Sequence, residues 1–344
     1  MTRRVAGDTS EDFAVVVDRI TGIGLKLHKD TLIAHARANS GQAVRSISQL
    51  QLLTDAKAGS ALVVSAGPSL HRRDSIKRVK LSGYTGTIIA TDGSYIACLK
   101  QGLVPDFVIT LDPHPRRIVR WFGDPEFEKN MTGDDYFSRQ DLDVEFRINS
   151  DIQNQAHISL VNLHGARTKA IVSSSAPGNV VARLQAAGLD AYWWNPLVDD
   201  PLVQGSITRQ LYDIFPVPCL NTGGTVGTAA WVFANSFLKI PEVGLLGMDL
   251  GYYADTPIEK TQTFYELHQQ IADRASIHTL FVDFEFPLTG EKFYTDPTYY
   301  WYRKNFLELL ALSENRTINC TEGGTLFADE LPCETLDSFL ARNS

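Results

Sequence analysis

Hydrophobic and polar positions along residues 61–111 come in short alternating blocks. The run "ALVVSA", β-branched and bounded by Gly and Pro, predicts a buried parallel strand. A helix follows, then a second strand at "GTIIAT", a helix "GSYIACLKQG" ended by Gly102, and a third strand at "DFVITLD". A second series repeats the rhythm: "KAIVSSS", "GNVVARLQAAG", "AYWWNP", "GGTVGTAAWVFANSFLK" and "EVGLLGMD". Strands alternating with helices in this way predict an α/β fold with a doubly wound, mostly parallel sheet.

The flanking segments read differently. Residues 11–57 have helical spacing, as in "FAVVVDRITGIGLKLHKDTLIAHA", and predict a helical layer over 1–57. The main Rossmann-like domain is expected over 58–335, with 336–344 as a tail. Residues 123–160, rich in Asp, Asn and Gln, predict an irregular insertion. The aromatic and polar stretch 252–300 predicts a lid over the strand ends. After it come an amphipathic helix, "YYWYRKNFLELLALSEN", and a last short strand, "TINC". No repeat or low-complexity segment interrupts the chain.

Composition narrows the classes of function. The 344 residues are 44% hydrophobic and 21% charged, as in an ordinary globular protein. A net charge of -8 argues against a nucleic-acid binder. Cys98, Cys219, Cys320 and Cys333 form no CxxC pair, which fits thiols in a reducing compartment. The N-terminus lacks the apolar core of a secretory signal, and no stretch approaches the ~20 apolar residues of a membrane span. These features together predict a cytoplasmic protein.

In a doubly wound sheet, ligands bind beyond the carboxyl ends of the strands, so residues just after each strand are the candidates. In "AGPSL" the backbone amides of Gly67, Ser69 and Leu70 can face a phosphate, with Gly67 allowing close approach and Pro68 suiting a first helical turn. A plain strand-to-helix turn capped by Ser69 is equally compatible with the local sequence. Asp92, with Gly93, ends the second strand and Asp112 the third. Two carboxylates on neighbouring tips can share Mg²⁺, hold a ribose or take a proton, while a helix cap and an Asp-Pro turn are their structural alternatives. His114, Arg116, Arg117 and Arg120 follow, suited either to clamping an anion or to a solvated helix face. In "NTGGT", Asn221, Thr222, Gly223 and Gly224 precede an apolar helix, suiting a phosphate site or a close-packed cap. Asp249 marks a further strand end, with Tyr252 and Tyr253 able to stack a ring. G-x-G-x-x-G, Walker A, G-x-S-x-G and H-E-x-x-H motifs are all absent.

Four segments taken in order, "VVSAGPSL", "TIIATDGSYIACLKQGLVPDFVITLDP", "TGGTVGTAAWVFANSFLKIPEVGLLGMDL" and "TINCTEGGTLF", resemble the core of the MptE-like proteins. That group contains Maf-type motility-associated glycosyltransferases and hydroxymethylpterin pyrophosphokinases, and the arrangement is also similar to bacterial sialyltransferases using CMP-activated sugars. The resemblance spans roughly residues 45–335 and implies a nucleotide-dependent transferase. In its glycosyltransferase form, a nonulosonic (sialic-acid-like) sugar passes from a CMP donor to a protein or glycan acceptor, with no cofactor required. Gly67, Pro68, Ser69, Asp92, Gly93, Arg116, Asn221, Thr222, Gly223, Gly224, Tyr252 and Glu322 would then contact the nucleotide. Asp112, His114, Asp249 and His268 are the catalytic candidates. The sialyltransferases carry a base histidine after the G-x-D motif; here none occurs before His268, so His268, His278 or a carboxylate takes that role. In its kinase form, the resemblance implies Mg-ATP-dependent pyrophosphoryl transfer to 6-hydroxymethylpterin, with Asp92 and Asp112 holding Mg²⁺. The acidic strand end of those kinases usually has two Asp where "ITLDP" has one. A nucleotide-sugar-binding protein without catalysis is the third form.

Overall fold

The computed structural model describes residues 4–5, 29–41, 45–50, 59–131, 144–261, 264 and 274–343. Numbering strands along the chain, the main sheet contains β2 (Ser60–Val64), β3 (Thr87–Thr91), β4 (Phe107–Thr110), β5 (Lys169–Ser173), β6 (Asp190–Leu197), β7 (Cys219–Asn221), β8 (Glu242–Leu246) and β12 (Arg316–Asn319). Their order is β12-β8-β2-β3-β4-β5-β6-β7, and every neighbouring pair is parallel. This is the doubly wound Rossmann-like α/β sheet expected from the pattern.

The central strands carry apolar residues on both faces because helices cover both. Leu62, Val64, Ile88, Ala90, Val108 and Val172 join one core layer. Ala61, Val63, Ile89, Ile109, Ile171 and Leu245 join the other. Even the adjacent Trp193 and Trp194 divide between the two layers, as the alternation of a strand requires. The helices Ser75–Ser82, Asp92–Lys100 and Gly178–Ala186 pack on the first face. Val226–Val232, its π-helical continuation Phe233–Phe237, and Pro297–Ala311 pack on the second.

Strand order creates one switch point. From β2 the chain steps outward through β3 to β7, then returns to β8 on the other side of β2 and continues to β12. The connections leaving β2 and β8 therefore diverge, opening a crevice at their carboxyl ends. A second sheet, β1 (Arg4–Val5), β10 (Val282–Glu285), β11 (Lys292–Thr295) and β9 (Tyr252–Tyr253), stands at this end. It is the ordered form of the stretch expected to be a lid, held around Tyr252, Phe281, Phe284 and Tyr294.

Three segments differ from the sequence reading. The expected irregular insertion contains helices Phe127–Met131 and Val144–His164. Asn154, His157 and Val161 of the longer helix are buried at helical spacing; their polar character hid the stripe. The expected tail is a helix, Leu336–Asn343, which buries Leu336, Phe339 and Leu340 in the main core. Within the N-terminal segment, residues 29–40 form a helix. Leu32, Ile33 and Ala36 pack on Ile207 and Leu211, and Asn39 donates to the carbonyls of Ser174 (2.9 Å) and Ala176 (2.8 Å). Residues 6–28, 42–44 and 51–58 of that segment lie outside the described residues.

Candidate functional site

The Gly-Pro-Ser turn leaves β2 directly into the switch-point crevice, and Asp249, just after β8, fills it. Asp249 accepts from the Ser69 amide (3.2 Å) and hydroxyl (2.6 Å). The Gly67 amide donates to the Gly247 carbonyl (2.8 Å), and the Leu70 amide to that of Gly67 (3.0 Å). All three amides expected to face a phosphate are thus engaged within the chain. Gly67 is required here because a Cβ would collide with the Asp249 carboxylate. Burial pushes the Asp249 carboxyl up to about 6, against the two Ser69 bonds that favour its charged form.

The arginines beside this turn also have internal tasks. Arg72 pairs with Asp255 (3.1 Å) and lies 3.9 Å over the Tyr253 ring. Arg73 binds Glu291 and the Glu322 carbonyl. Arg78 pairs with the Glu322 carboxylate (2.5 Å), which also accepts from the Leu336 amide (3.0 Å) and so fixes the last helix. Glu322 and the arginine pair tie the strand ends to the second sheet and to the C-terminal helix.

The second glycine-rich loop is likewise self-contained. Asn221 accepts from the Gly223 amide (2.9 Å), the Thr222 hydroxyl from the Gly224 amide (3.2 Å), and Thr225 from the Thr228 amide (3.0 Å). Gly224, at φ +92°, lies where a Cβ would strike Tyr302 and Trp301. The Tyr252 ring packs between Tyr294 and Tyr299, and its hydroxyl donates to Asp296 (2.8 Å). These groups shape the walls of the strand-end region through contacts among themselves.

A second group of candidate residues gathers one strand further on, at the tips of β3 and β4. Asp92 opens the helix after β3 and is buried (4% exposed). Its Oδ1 accepts from the Gly93 amide (2.7 Å), whereas Oδ2 has no hydrogen-bond partner among the described residues. Burial is the main force raising its carboxyl to about 7; the Gly93 amide and Arg117 oppose the rise and the neighbouring Asp112 adds to it. Asp112 accepts from the His114 amide (2.8 Å) and stands 3.6 Å from the Arg117 guanidinium. His114 caps the helix Pro115–Arg120, its Nδ1 accepting from the Arg117 amide (3.1 Å). In that arrangement the neutral ring carries its proton on Nε2 and presents a donor. Arg116 is exposed, while Arg120 is buried against Trp121, its guanidinium carbon 4.7 Å from the ring centroid.

The structure therefore brings Asp92, Asp112 and His114 together and sets Gly67, Pro68, Ser69 and Asp249 beside them at the crevice. Gly93 adjoins the turn, a Cβ on it falling 3.0 Å from that of Ala66. His268 lies outside the described residues. Arg117 and Tyr299 were underweighted by sequence reasoning. Each sits three residues after its helix cap, His114 or Asp296, and that spacing turns a side chain back toward the cap. Two carboxylates suit Mg²⁺ only when substrate phosphates complete the shell; among the described residues no group of three His, Cys, Asp or Glu side chains could hold a metal. A cavity of about 650 Å³ near Lys80, Asp106, His164 and Arg167 lies at the opposite, amino end of β3 and β4, away from these groups.

The fold and the polar strand tips define a doubly wound α/β protein whose candidate site residues lie beside its switch point. Residues 35–123, which carry β2, β3, β4 and both carboxylates, match the family of 6-hydroxymethylpterin diphosphokinase MptE-like proteins, so this segment of the chain is similar to that family. Its fold is similar to that of a solved MAf glycosyltransferase from Magnetospirillum magneticum AMB-1, with 15% identity and a TM-score of 0.50. The likeness covers 91% of this chain and 39% of that one, so the chain spans well under half of its solved counterpart. Comparison with curated proteins gives no match. No helix among the described residues is long and apolar enough to cross a membrane.

Proposed function

We propose that the chain is a nucleotide-dependent glycosyltransferase that moves a nonulosonic sugar from a CMP-activated donor to a hydroxyl of a protein or glycan in the cytoplasm. The observation that carries this reading is Asp92: a buried carboxylate at a strand tip with one oxygen unpartnered and an affinity for protons near neutrality. A general base works best with that affinity. The acceptor O–H passes its proton to Asp92 Oδ2 as its oxygen bonds to the anomeric carbon, and the bond from that carbon to the CMP phosphate oxygen breaks. In the resting state Oδ2 is shielded from solvent, so acceptor entry must open a path to it. The likeness in fold to a MAf glycosyltransferase supports the same reading.

The test is CMP release from a CMP-activated nonulosonic sugar, with a glycan or protein acceptor, by wild type and Asp92→Asn. Loss of about 10²-fold or more in kcat, with KM little changed, is the expected result for a missing base. Equal turnover by the two would overturn the assignment. One observation favours a second reading: Asp112 lies close enough to Asp92 to raise its proton affinity. In a pyrophosphokinase these two residues would hold Mg²⁺, which would neutralise phosphate charge. AMP release from ATP with 6-hydroxymethylpterin and Mg²⁺, without CMP release from the sugar donor, would establish that alternative. A chain that binds nucleotide and turns over neither would be a non-catalytic binder.

A further inference from the structure

The cavity of about 650 Å³ at the amino ends of β3 and β4 has no part in the proposed transfer. Separate stretches of chain converge on it. Lys80 comes from the last turn of the helix Ser75–Ser82, and Tyr84 from the turn that follows. Leu103 lies just beyond the helix Asp92–Lys100, and Asp106 just before β4. His164 ends the long helix, and Arg167 ends the 3₁₀ turn Gly165–Arg167.

Positive charge on these walls is left without a counterpart. Neither Lys80 nor Arg167 forms an ion pair or a hydrogen bond among the described residues. The carboxylate of Asp106 is turned to the sheet, where its Oδ2 accepts from the Ile88 amide (3.0 Å). Nearby helix ends do not absorb the cations either. The carbonyls of Ala97, Cys98 and Leu99 accept from the amides of Gln101, Leu103 and Gly102, and that of Val79 from the Ser82 hydroxyl. His164 adds an unsatisfied nitrogen: its Nδ1 is shielded from solvent and has no partner among the described residues. A shielded polar atom in that condition costs stability, which a ligand supplying its partner would recover.

We propose that this cavity is a second binding site, for a phosphomonoester held between Lys80 and Arg167. Such a group carries about 1.5 to 2 negative charges at neutral pH, which matches two cations better than a single carboxylate does. The arginine fork can take two of its oxygens while the lysine supplies a point charge. The volume exceeds what a bare phosphate fills and falls in the range of about 300–1,000 Å³ typical of small-molecule sites. Ile88, Leu103 and the Tyr84 ring, fixed by its hydroxyl to Ser60 Oγ (2.8 Å), give the organic part an apolar wall. The ester can be a free metabolite or the headgroup of a lipid, since Leu81 and Leu163 are exposed next to Lys80 and His164. This site stands independently of the transferase reading.

The experiment is calorimetric titration of the full chain with glucose 6-phosphate, glucose and inorganic phosphate, beside flotation with phosphatidylcholine vesicles with or without phosphatidic acid. Wild type is compared with Lys80→Gln, Arg167→Gln and Lys77→Gln, each first checked for an unchanged unfolding midpoint. Lys77 is exposed on the same helix as Lys80 but outside the cavity lining. Glucose 6-phosphate should bind, with glucose silent and inorganic phosphate weaker. Lys80→Gln and Arg167→Gln should each weaken the ester by about tenfold or more, and Lys77→Gln should stay within about twofold of wild type. Flotation that needs phosphatidic acid and is lost in the same two variants, without glucose 6-phosphate binding, would uphold the site and identify the ester as lipid. Inorganic phosphate binding as tightly as the ester would overturn the ester assignment. Both variants binding every phosphate probe as wild type does, or a wild type that binds none, would overturn the site.

Discussion

Replacing Asp92 by Asn isolates the cost of its burial. The amide keeps the acceptor for the Gly93 N–H and the shape of the side chain, and removes only the charge. The carboxyl shifts from an ordinary 3.8 to about 7 on folding. A raised acid means that the folded chain holds the proton more tightly than the unfolded one. Stability from this group is therefore complete below 3.8 and is lost as pH rises toward 7, after which the loss is constant. At about 1.4 kcal/mol for each tenfold change in proton affinity, the full penalty is about 4 kcal/mol. Between about pH 5 and about pH 8, the stability of Asp92→Asn relative to wild type should grow by about 3 kcal/mol. Urea unfolding followed by tryptophan fluorescence at several pH values measures this difference directly, since Trp193, Trp194 and Trp231 are buried. Parallel wild-type and Asp92→Asn stabilities across that range would refute the assignment of a buried, proton-holding carboxyl.

Two further outcomes test the crevice and the second carboxylate. Gly67→Ala should destabilise by about 3 kcal/mol or more, because its methyl meets Asp249 and, at 2.5 Å, the Gly247 carbonyl. Gly93→Ala, whose nearest neighbour is the Ala66 methyl at 3.0 Å, should cost far less in the same thermal melts. Asp112→Asn should leave CMP release within about threefold of wild type, since the Arg117 pair it breaks is partly exposed and worth little. A loss beyond about 10²-fold would mean that charge at Asp112 is essential, as Mg²⁺ ligation requires.

The sheet was legible because its strands are buried on both faces and read as unbroken apolar runs such as "ALVV" and "TIIA". The site was legible only as a set of positions. "AGPSL" has the composition of a phosphate-facing turn, but what faces it depends on β8 lying beside β2. That adjacency brings Asp249 to Ser69 across 180 residues of chain, and no local pattern encodes it. Arg72 and Arg73 pose the same problem: whether they meet a ligand or the second sheet depends on where β9 and β11 dock. The helix Val144–His164 escaped for a local reason, since its buried face includes Asn154 and His157. Asn154 accepts from the Asp124 amide (2.8 Å) and donates to its carbonyl (2.7 Å), so the burial is hydrogen-bonded and not oily.

Asp249 and Asp92 end neighbouring regions of one sheet, and their surroundings hold them differently. Asp249 has two donors from Ser69, which hold back part of the rise that burial imposes. Its carboxylate closes the crevice between β2 and β8 and joins the two halves of the winding. Asp92 has a single amide donor and a like charge nearby, so its proton is held more firmly and one oxygen is left without a partner. A buried oxygen in that condition costs stability, and a fold that needed only a cap there could use Ser or Asn at no such cost. The carboxylate held by Ser69 occupies the switch point, where the sheet geometry alone would put the ligand. The carboxylate with an unpartnered oxygen stands a strand away, at the tip of β3.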